Sequence, residues 1–388
     1  VFASLLLISA FQIQEVYAAS TDTYYFNGYD PAQAWPYDPG NMVDGDEGTR
    51  SHTDWDNASD VTQLNNTNTC PGTNLGAITN VELRAKIDVY TAGVGYLYIT
   101  PVFVAGDGTA RLFQNVYTAW TSWFDITSDP NAPSSWTWAD VVNLDTKVRG
   151  VDPASHDESC YKIEIRVTYT PYLYRSVGTT ATALESGTGN GLTISGSTAT
   201  FDSGLADNIS VGDVIQYDSD GNSSIDALAF IHGRTDSQTY LVKDKDGGTP
   251  TAVAGDNDWA IYRAYTSLSN CVNSQTENPN ITEPVENDVN PNKNLVSADT
   301  ILNVACYSDG ADTTAATISG WTTGDNNYIK IYTPVSSSEV GVSQRHNGIW
   351  NDSKYRIQST SAPINIGAGG AGAGNVWIDG LQVYLSSV

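Results

Sequence analysis

Period-two alternation of apolar and polar residues is the first signal along the chain. In Val81-Glu82-Leu83-Arg84-Ala85-Lys86-Ile87 one face is apolar and the other charged, and Tyr161-Lys162-Ile163-Glu164-Ile165-Arg166-Val167-Thr168-Tyr169 repeats the pattern. Each such strand lays one face on a core and keeps Lys, Arg and Glu in water, which is sandwich behaviour. The pattern predicts a sandwich domain over 20–171. Only Ser135 to Leu144 has helical spacing, with Ser134 or Ser135 as N-cap and Trp138, Val141 and Val142 on one side, so a short helical connector is expected there.

Beyond Pro171, Ile194, Phe201, Val214-Ile215, Phe230-Ile231 and Tyr240-Leu241-Val242 mark short strands separated by Gly or Asp turns, and predict a hairpin-rich region over 172–265. From about Asp299 the texture changes to Ile301-Leu302-Asn303-Val304, Tyr328-Ile329-Lys330-Ile331-Tyr332, Tyr355-Arg356-Ile357, Ile364-Asn365-Ile366 and Val376-Trp377-Ile378, spaced irregularly by polar turns. These read as the opening rungs of a parallel β-helix over 266–388, each burying inward Ile and Val against its neighbours. The plain alternative is a compact β-domain with a C-terminal edge strand. Asn273 to Ala298 holds four acidic residues and three Pro and is expected to be a surface excursion, and the Gly and Ala tract Gly367 to Gly374 a turn between rungs. No capping segment follows Gln382-Val383-Tyr384, so further rungs are expected after Val388.

Composition sharpens the address more than the fold. Phe2 to Ile13 is a short apolar run followed by Val16-Tyr17-Ala18, the pattern of a signal peptide over 1–19 cleaved after Ala18 or Ala19, and the protein is expected to be secreted or on the cell surface. The run has neither an initiating Met nor a basic flank, so the true start is expected upstream. No later stretch is long and apolar enough to insert in a membrane. The formal charge of -26, from 44 acidic against 18 basic residues, repels phosphate backbones and argues against nucleic-acid partners.

Four cysteines are an even count in an exported chain. Pairing within halves, Cys70 with Cys160 and Cys271 with Cys306, predicts one disulfide per half, each stabilising by about 4 kcal/mol on the chain-entropy estimate. The second would close the base of the 273–298 excursion. No CxxC spacing supports zinc.

Several segments resemble a known class. Leu228-Ala229-Phe230-Ile231-His232-Gly233-Arg234-Thr235, Ile261-Tyr262-Arg263-Ala264-Tyr265-Thr266-Ser267-Leu268, Gly320-Trp321-Thr322 and Ser343-Gln344-Arg345-His346-Asn347-Gly348 resemble the head region of large secreted bacterial proteins in which a right-handed parallel β-helix follows. The resemblance covers roughly Tyr174 to Val388 and implies architecture and surface location more than chemistry. The first domain looks like a jelly-roll sandwich of extracellular and tail-fibre proteins, on Asn41-Met42-Val43-Asp44-Gly45, the Trp136 to Leu144 stretch and the closing Tyr161 to Tyr169 strand. Val43-Asp44-Gly45 is similar to the Asp-Gly turn of galactose-binding-like sandwiches.

Three kinds of chemistry deserve weighing. Asp218, Asp220, Asn222, Ser224 and Asp226 stand at positions one, three, five, seven and nine of an EF-hand-type loop, and hard Ca2+ wants such oxygens. Ser223 replaces the usual Gly at position six and Ala229 the bidentate Glu at twelve, so calcium would need a carboxylate from elsewhere, and a plain Asp/Gly hairpin turn is the competing reading. Trp35, Tyr37, Trp55, Trp120 and Trp123 are candidate platforms for sugar rings, although most aromatics in a sandwich are packing. The acidic balance favours neutral or calcium-bridged sugars.

Catalytic signals are poor. There is no GxSxG or HExxH, the four His at 52, 156, 232 and 346 are scattered, and pairs such as Asp244/Asp246 or Asp256/Asp258 do not single out a glycosidase. Arg345-His346 with Lys354 and Arg356 is the only basic concentration in the rung region. The sequence thus favours a non-enzymatic adhesion or carbohydrate-binding protein with an extracellular glycan as partner. Its rivals are the N-terminal part of a polysaccharide lyase or glycoside hydrolase whose active site lies beyond residue 388, and a structural subunit of an extracellular layer or fibre.

Overall fold

The alternating segments form strands with their apolar members inward. In a computed structural model describing residues 20–53, 61–89, 95–151, 157–282, 293–367 and 374–386, the strand Gly76–Val89 buries Val81, Leu83, Ala85, Ile87 and Val89 completely. The described residues are nearly all β, with short helical turns, and the chain divides into two units between Pro171 and Tyr172. Among the described residues no helix is long and apolar enough to cross a membrane. The segment 1–19 lies outside them.

The first unit holds two antiparallel sheets. One places Gly76–Val89 beside the 159–171 part of the strand Ser159–Val177, with Ser20–Tyr29 on the far side; the other runs from Ser20–Tyr29 through Val61–Asn68 and Asp145–Val151 to Tyr96–Phe103. Ser20–Tyr29 contributes to both, and the inner faces of both share one apolar cluster that includes Leu83, Ile87, Ile99, Val148, Ile163 and Ile165. The expected helix is shorter than its spacing suggested. It runs Trp138–Val142 and starts at Thr137, not at Ser134 or Ser135, because the Thr137 hydroxyl accepts from Asp140 N–H while the Asp140 carboxylate accepts from Thr137 N–H, a reciprocal capping box.

The second unit combines an antiparallel sheet with parallel ladders. Eight short strands pair in the order Glu185–Ser186, Ala260–Tyr262, Val214–Tyr217, Ala227–Arg234, Thr239–Lys243, Thr198–Phe201, Leu192–Ser195 and Val253–Asp256 over their own core. Residues 172–177 pair in parallel with Ile301–Cys306, which pairs with Ile329–Tyr332, which pairs with Val376–Asp379. Two further parallel ladders join Ala311–Asp312, Arg356–Ser359 and Gln382–Leu385, and Ala316–Ile318 with Ile364–Ile366. The register stacks Leu302 on Ile329 and Val304 on Ile331, all fully buried.

A buried ion cluster ties the antiparallel sheet to these ladders. Arg263 donates to both carboxylate oxygens of Asp213 at 2.9 Å and to Asp309 at 2.8 and 3.0 Å, beneath the ring of Tyr307 at 3.9 Å. Next to it Gly212, at φ +87°, brings the chain so close that a Cβ would stand 2.4 Å from the backbone nitrogen of Ser176, so only glycine fits there.

Two expectations are corrected here. None of Cys70, Cys160, Cys271 and Cys306 is in a disulfide. Cys70 sits beside Asp22 and Tyr24, whose partners on the long strand are Val167 and Ile165, whereas Cys160 lies near the other end of that strand. The separation is roughly 15 Å at the usual rise per residue, well beyond the ~7 Å limit for Cα atoms of a bridge. Cys271 and Cys306 share a core, but the Cys306 thiol points to the Val304 carbonyl of its own strand at 3.8 Å. The segment after Cys271 is also less exposed than its polarity suggested. Gln275, Asn278, Ile281 and Leu295 are buried, with Asn278 N–H bonded to Ala264 O at 2.9 Å, while 283–292 lie outside the described residues. Of the Gly/Ala tract, 368–373 also lie outside them.

Candidate functional site

The aromatic candidates separate sharply once placed. Trp35 is buried, with its indole N–H donating to Val148 O at 3.2 Å, so it is core and not a platform. Tyr37 is exposed but one face is taken by His52, stacked at 4.7 Å. Trp55 lies outside the described residues. Trp120 and Trp123 line the same open cleft, about 570 Å³ in volume, together with Phe113, Val116, Thr121 and Phe124.

Local register explains how two tryptophans three residues apart reach one place. After Arg111–Phe113, which pairs with Tyr96–Phe103, the chain turns at Asn115 (φ 57°) and crosses to the other sheet, where Val116–Trp120 and Phe124–Asp125 pair with Gly76–Val89. Trp120 lies opposite Lys86 and Phe124 opposite Leu83, so the outer segment uses one residue more than its partner over that interval. In a regular strand residues 120 and 123 would face opposite sides. The extra residue works as a bulge does and turns Trp123 toward the same face as Trp120. Thr121 anchors the bend, its N–H donating to Ala85 O at 2.8 Å and its hydroxyl accepting from Ala85 N–H at 3.1 Å.

Behind the two indoles stands a lattice of paired charges. The Arg84 guanidinium lies 4.2 Å from the ring centre of Trp120 and 4.5 Å from that of Trp123, and Arg166 lies 4.3 Å from Trp123. Arg84 donates to Glu164 at 2.6 and 2.8 Å, and Arg166 to Glu82 at 2.7 Å. Arg111, on the cleft wall, is 3.7 Å from Asp129. The cations around the cleft therefore already face carboxylates. Sequence reasoning picked out Trp120 and Trp123 but missed Phe113, Val116, Phe124 and Arg84; the density of aromatics between 113 and 124 was the available signal.

The calcium-type loop forms the turn between Val214–Tyr217 and Ala227–Arg234. It brings oxygens of Asp218, Asp220 and Asp226 within 4.8 Å of one another, beside a groove also lined by Asp256 and Asp258. Asp256 comes from another strand, and its carboxylate accepts from Asp218 N–H at 3.3 Å. Asn222 Oδ1 accepts from Ser224 N–H at 2.9 Å and belongs to the turn's own bonding. Ser223 adopts the left-handed conformation (φ 64°) that position six requires. Ala229 is fully buried in the strand and leaves position twelve without an oxygen. Burial acts to raise the Asp218 pKa, but backbone N–H groups of Ser223, Gly221, Asp220 and Asn222 outweigh it and hold the carboxyl below its usual value.

The basic concentration near 345 is not convergent. Arg345 pairs with Asp379 at 2.5 Å, Lys354 donates to Ser343 O, Arg356 donates to Asp352 O, and His346 accepts from Gly348 N–H at 3.0 Å. His232 is held well below its usual pKa by burial and by Arg175 and Lys243, and packs edge-on to Tyr174 at 5.3 Å. His52 stacks on Tyr37, and His156 lies outside the described residues.

No protein-family profile matches this chain, and no curated protein sequence is similar to it. Among solved structures, a β-1,2-glucanase from Parabacteroides distasonis is similar over 65% of this chain and 38% of its own length, at 10% identity and a TM-score of 0.22. A likeness that low carries no argument about fold or activity.

Proposed function

We propose that this is a secreted or cell-surface glycan-binding protein, with the ligand held in the cleft of Trp120 and Trp123. The observation that carries the reading is the convergence of both indoles with Phe113 and Phe124 on one open cleft. Flat aromatic faces stack on the apolar faces of sugar rings, and a concave, mostly apolar site with a few polar groups suits such a ligand. Because Arg84, Arg166 and Arg111 already face carboxylates, the ligand is a neutral glycan. In this reading the first unit is a jelly-roll sandwich, and the parallel ladders of the second are the opening rungs of a β-helix stem, supported by their in-register stacking. A glycan array probed with the full chain and with Trp123→Ala tests it. The wild type should mark a set of neutral glycans that the variant loses; equal marking by both, or marking of polyanions alone, would overturn the reading.

The turn 218–226 is proposed as a calcium site, with Asp218, Asp220 and Asp226 as carboxylate ligands and Asp256 as the carboxylate from outside the loop. Ca2+ should then raise the melting temperature reversibly, and Asp220→Asn should abolish the rise. A calcium-loaded protein whose melt is unchanged by chelator would count against it.

A further inference from the structure

We propose that Arg84 is the positioning residue of the cleft, setting the relative angle of Trp120 and Trp123 without touching the ligand. This rests on the glycan reading of that cleft and adds a residue whose role is separate from it. Arg84 is not part of the cleft lining; it stands behind it on Gly76–Val89. Its single guanidinium is in contact with both rings, at 4.2 and 4.5 Å, so neither indole can tilt without losing contact with a shared cation.

The plane of that guanidinium is itself fixed. Nε and Nη2 of Arg84 both donate to the same oxygen of Glu164, directly opposite on the neighbouring strand, and Glu164 is further held by Lys162 at 3.3 Å. With a side chain only 30% exposed and a partner only 9% exposed, the pair is largely out of water. Planarity is what the position demands. A lysine at 84 could keep the charge and an ion pair with Glu164, but a compact ammonium on a flexible stem cannot lie against two rings and hold both angles. The arrangement also separates two jobs: Trp120 and Trp123 supply the surface, while the Arg84 and Glu164 pair supplies its geometry.

The test uses the full chain labelled with 5-fluorotryptophan, the Trp120 and Trp123 fluorine resonances being assigned with Trp120→Phe and Trp123→Phe. Arg84→Lys is expected to shift both resonances, to weaken binding of neutral glucose, mannose, xylose and galactose oligosaccharides by roughly tenfold, and to leave the melting temperature nearly unchanged. Glu164→Gln, which keeps the acceptor but not the charge, should give a smaller shift in the same direction, and it decides the question if Arg84→Lys does not fold. Resonances that stay at their wild-type positions in both variants would overturn the proposal. If the wild type binds none of the oligosaccharides, the glycan reading fails, while the resonances still decide whether Arg84 positions the rings.

Discussion

Arg263 and Asp213 form an ion pair fully withdrawn from solvent, two hydrogen bonds of 2.9 Å joining the end of the antiparallel sheet to the turn before Val214. Asp309 completes the cluster from the loop after Ile301–Cys306. Removing the cation alone strands two buried carboxylates, so Arg263→Met is expected to destabilise the second unit by about 3–5 kcal/mol. The triple variant with Asp213→Asn and Asp309→Asn should recover much of the loss. Urea unfolding of the three proteins measures this, and a single variant as stable as wild type would contradict it.

Asp218 makes a pH prediction whose sign follows from its amide donors. A folded-state pKa below the unfolded value means the carboxylate contributes stability above about pH 4, lost as pH falls through the lower folded value. Wild type should therefore exceed Asp218→Asn in urea midpoint at pH 6, and the gap should close on acidification toward pH 2. A gap that stays constant over that range would show that the amide bonds do not depend on the charge.

The sheet register predicts the chemistry of two cysteines. A peptide map under non-reducing conditions should contain no Cys70–Cys160 link, and both thiols should alkylate once the protein is denatured. In the folded protein Cys160 should resist alkylation, because complete burial pushes its pKa up and blocks access. A linked peptide would refute the register.

The extra residue between Trp120 and Phe124 has its own test. Deleting Ser122, which is exposed, should restore regular alternation and leave Trp123 two positions after Trp120, on the same face and still opposite Arg84. The fluorine resonances of both rings should then stay near their wild-type positions. A Trp123 resonance that moves far from its wild-type position would mean that the side chain is placed by something other than the register.

How much of this was legible depends on the kind of signal. Val81 to Ile87 announced their inward face because a half-buried strand has to alternate, and Leu302, Ile329 and Val376 announced strands by apolar density. What could not be read was any relationship set by register. Trp120 and Trp123 share a cleft only because one residue is extra in the pairing, and Asp256 reaches Asp218 only through the order of strands in the sheet. The Cys70–Cys160 pairing failed for the same reason, since an even cysteine count says nothing about where each thiol falls along the sheet. Trp35 stood among the candidate platforms only as an aromatic ring, and its burial could not be read because its bond to Val148 O depends on a strand 113 residues away.

The central claim is that Trp120 and Trp123 bind a neutral glycan. Affinity electrophoresis of the full chain through gels containing soluble neutral glucan, mannan, xylan or galactan tests it most directly, with the Trp120→Ala/Trp123→Ala variant run alongside. At least one polysaccharide should retard the wild type and not the variant, with little dependence on salt because no ion pair is made to the ligand. Equal mobility of the two proteins in every gel, or retardation that vanishes on raising the salt, would contradict the account.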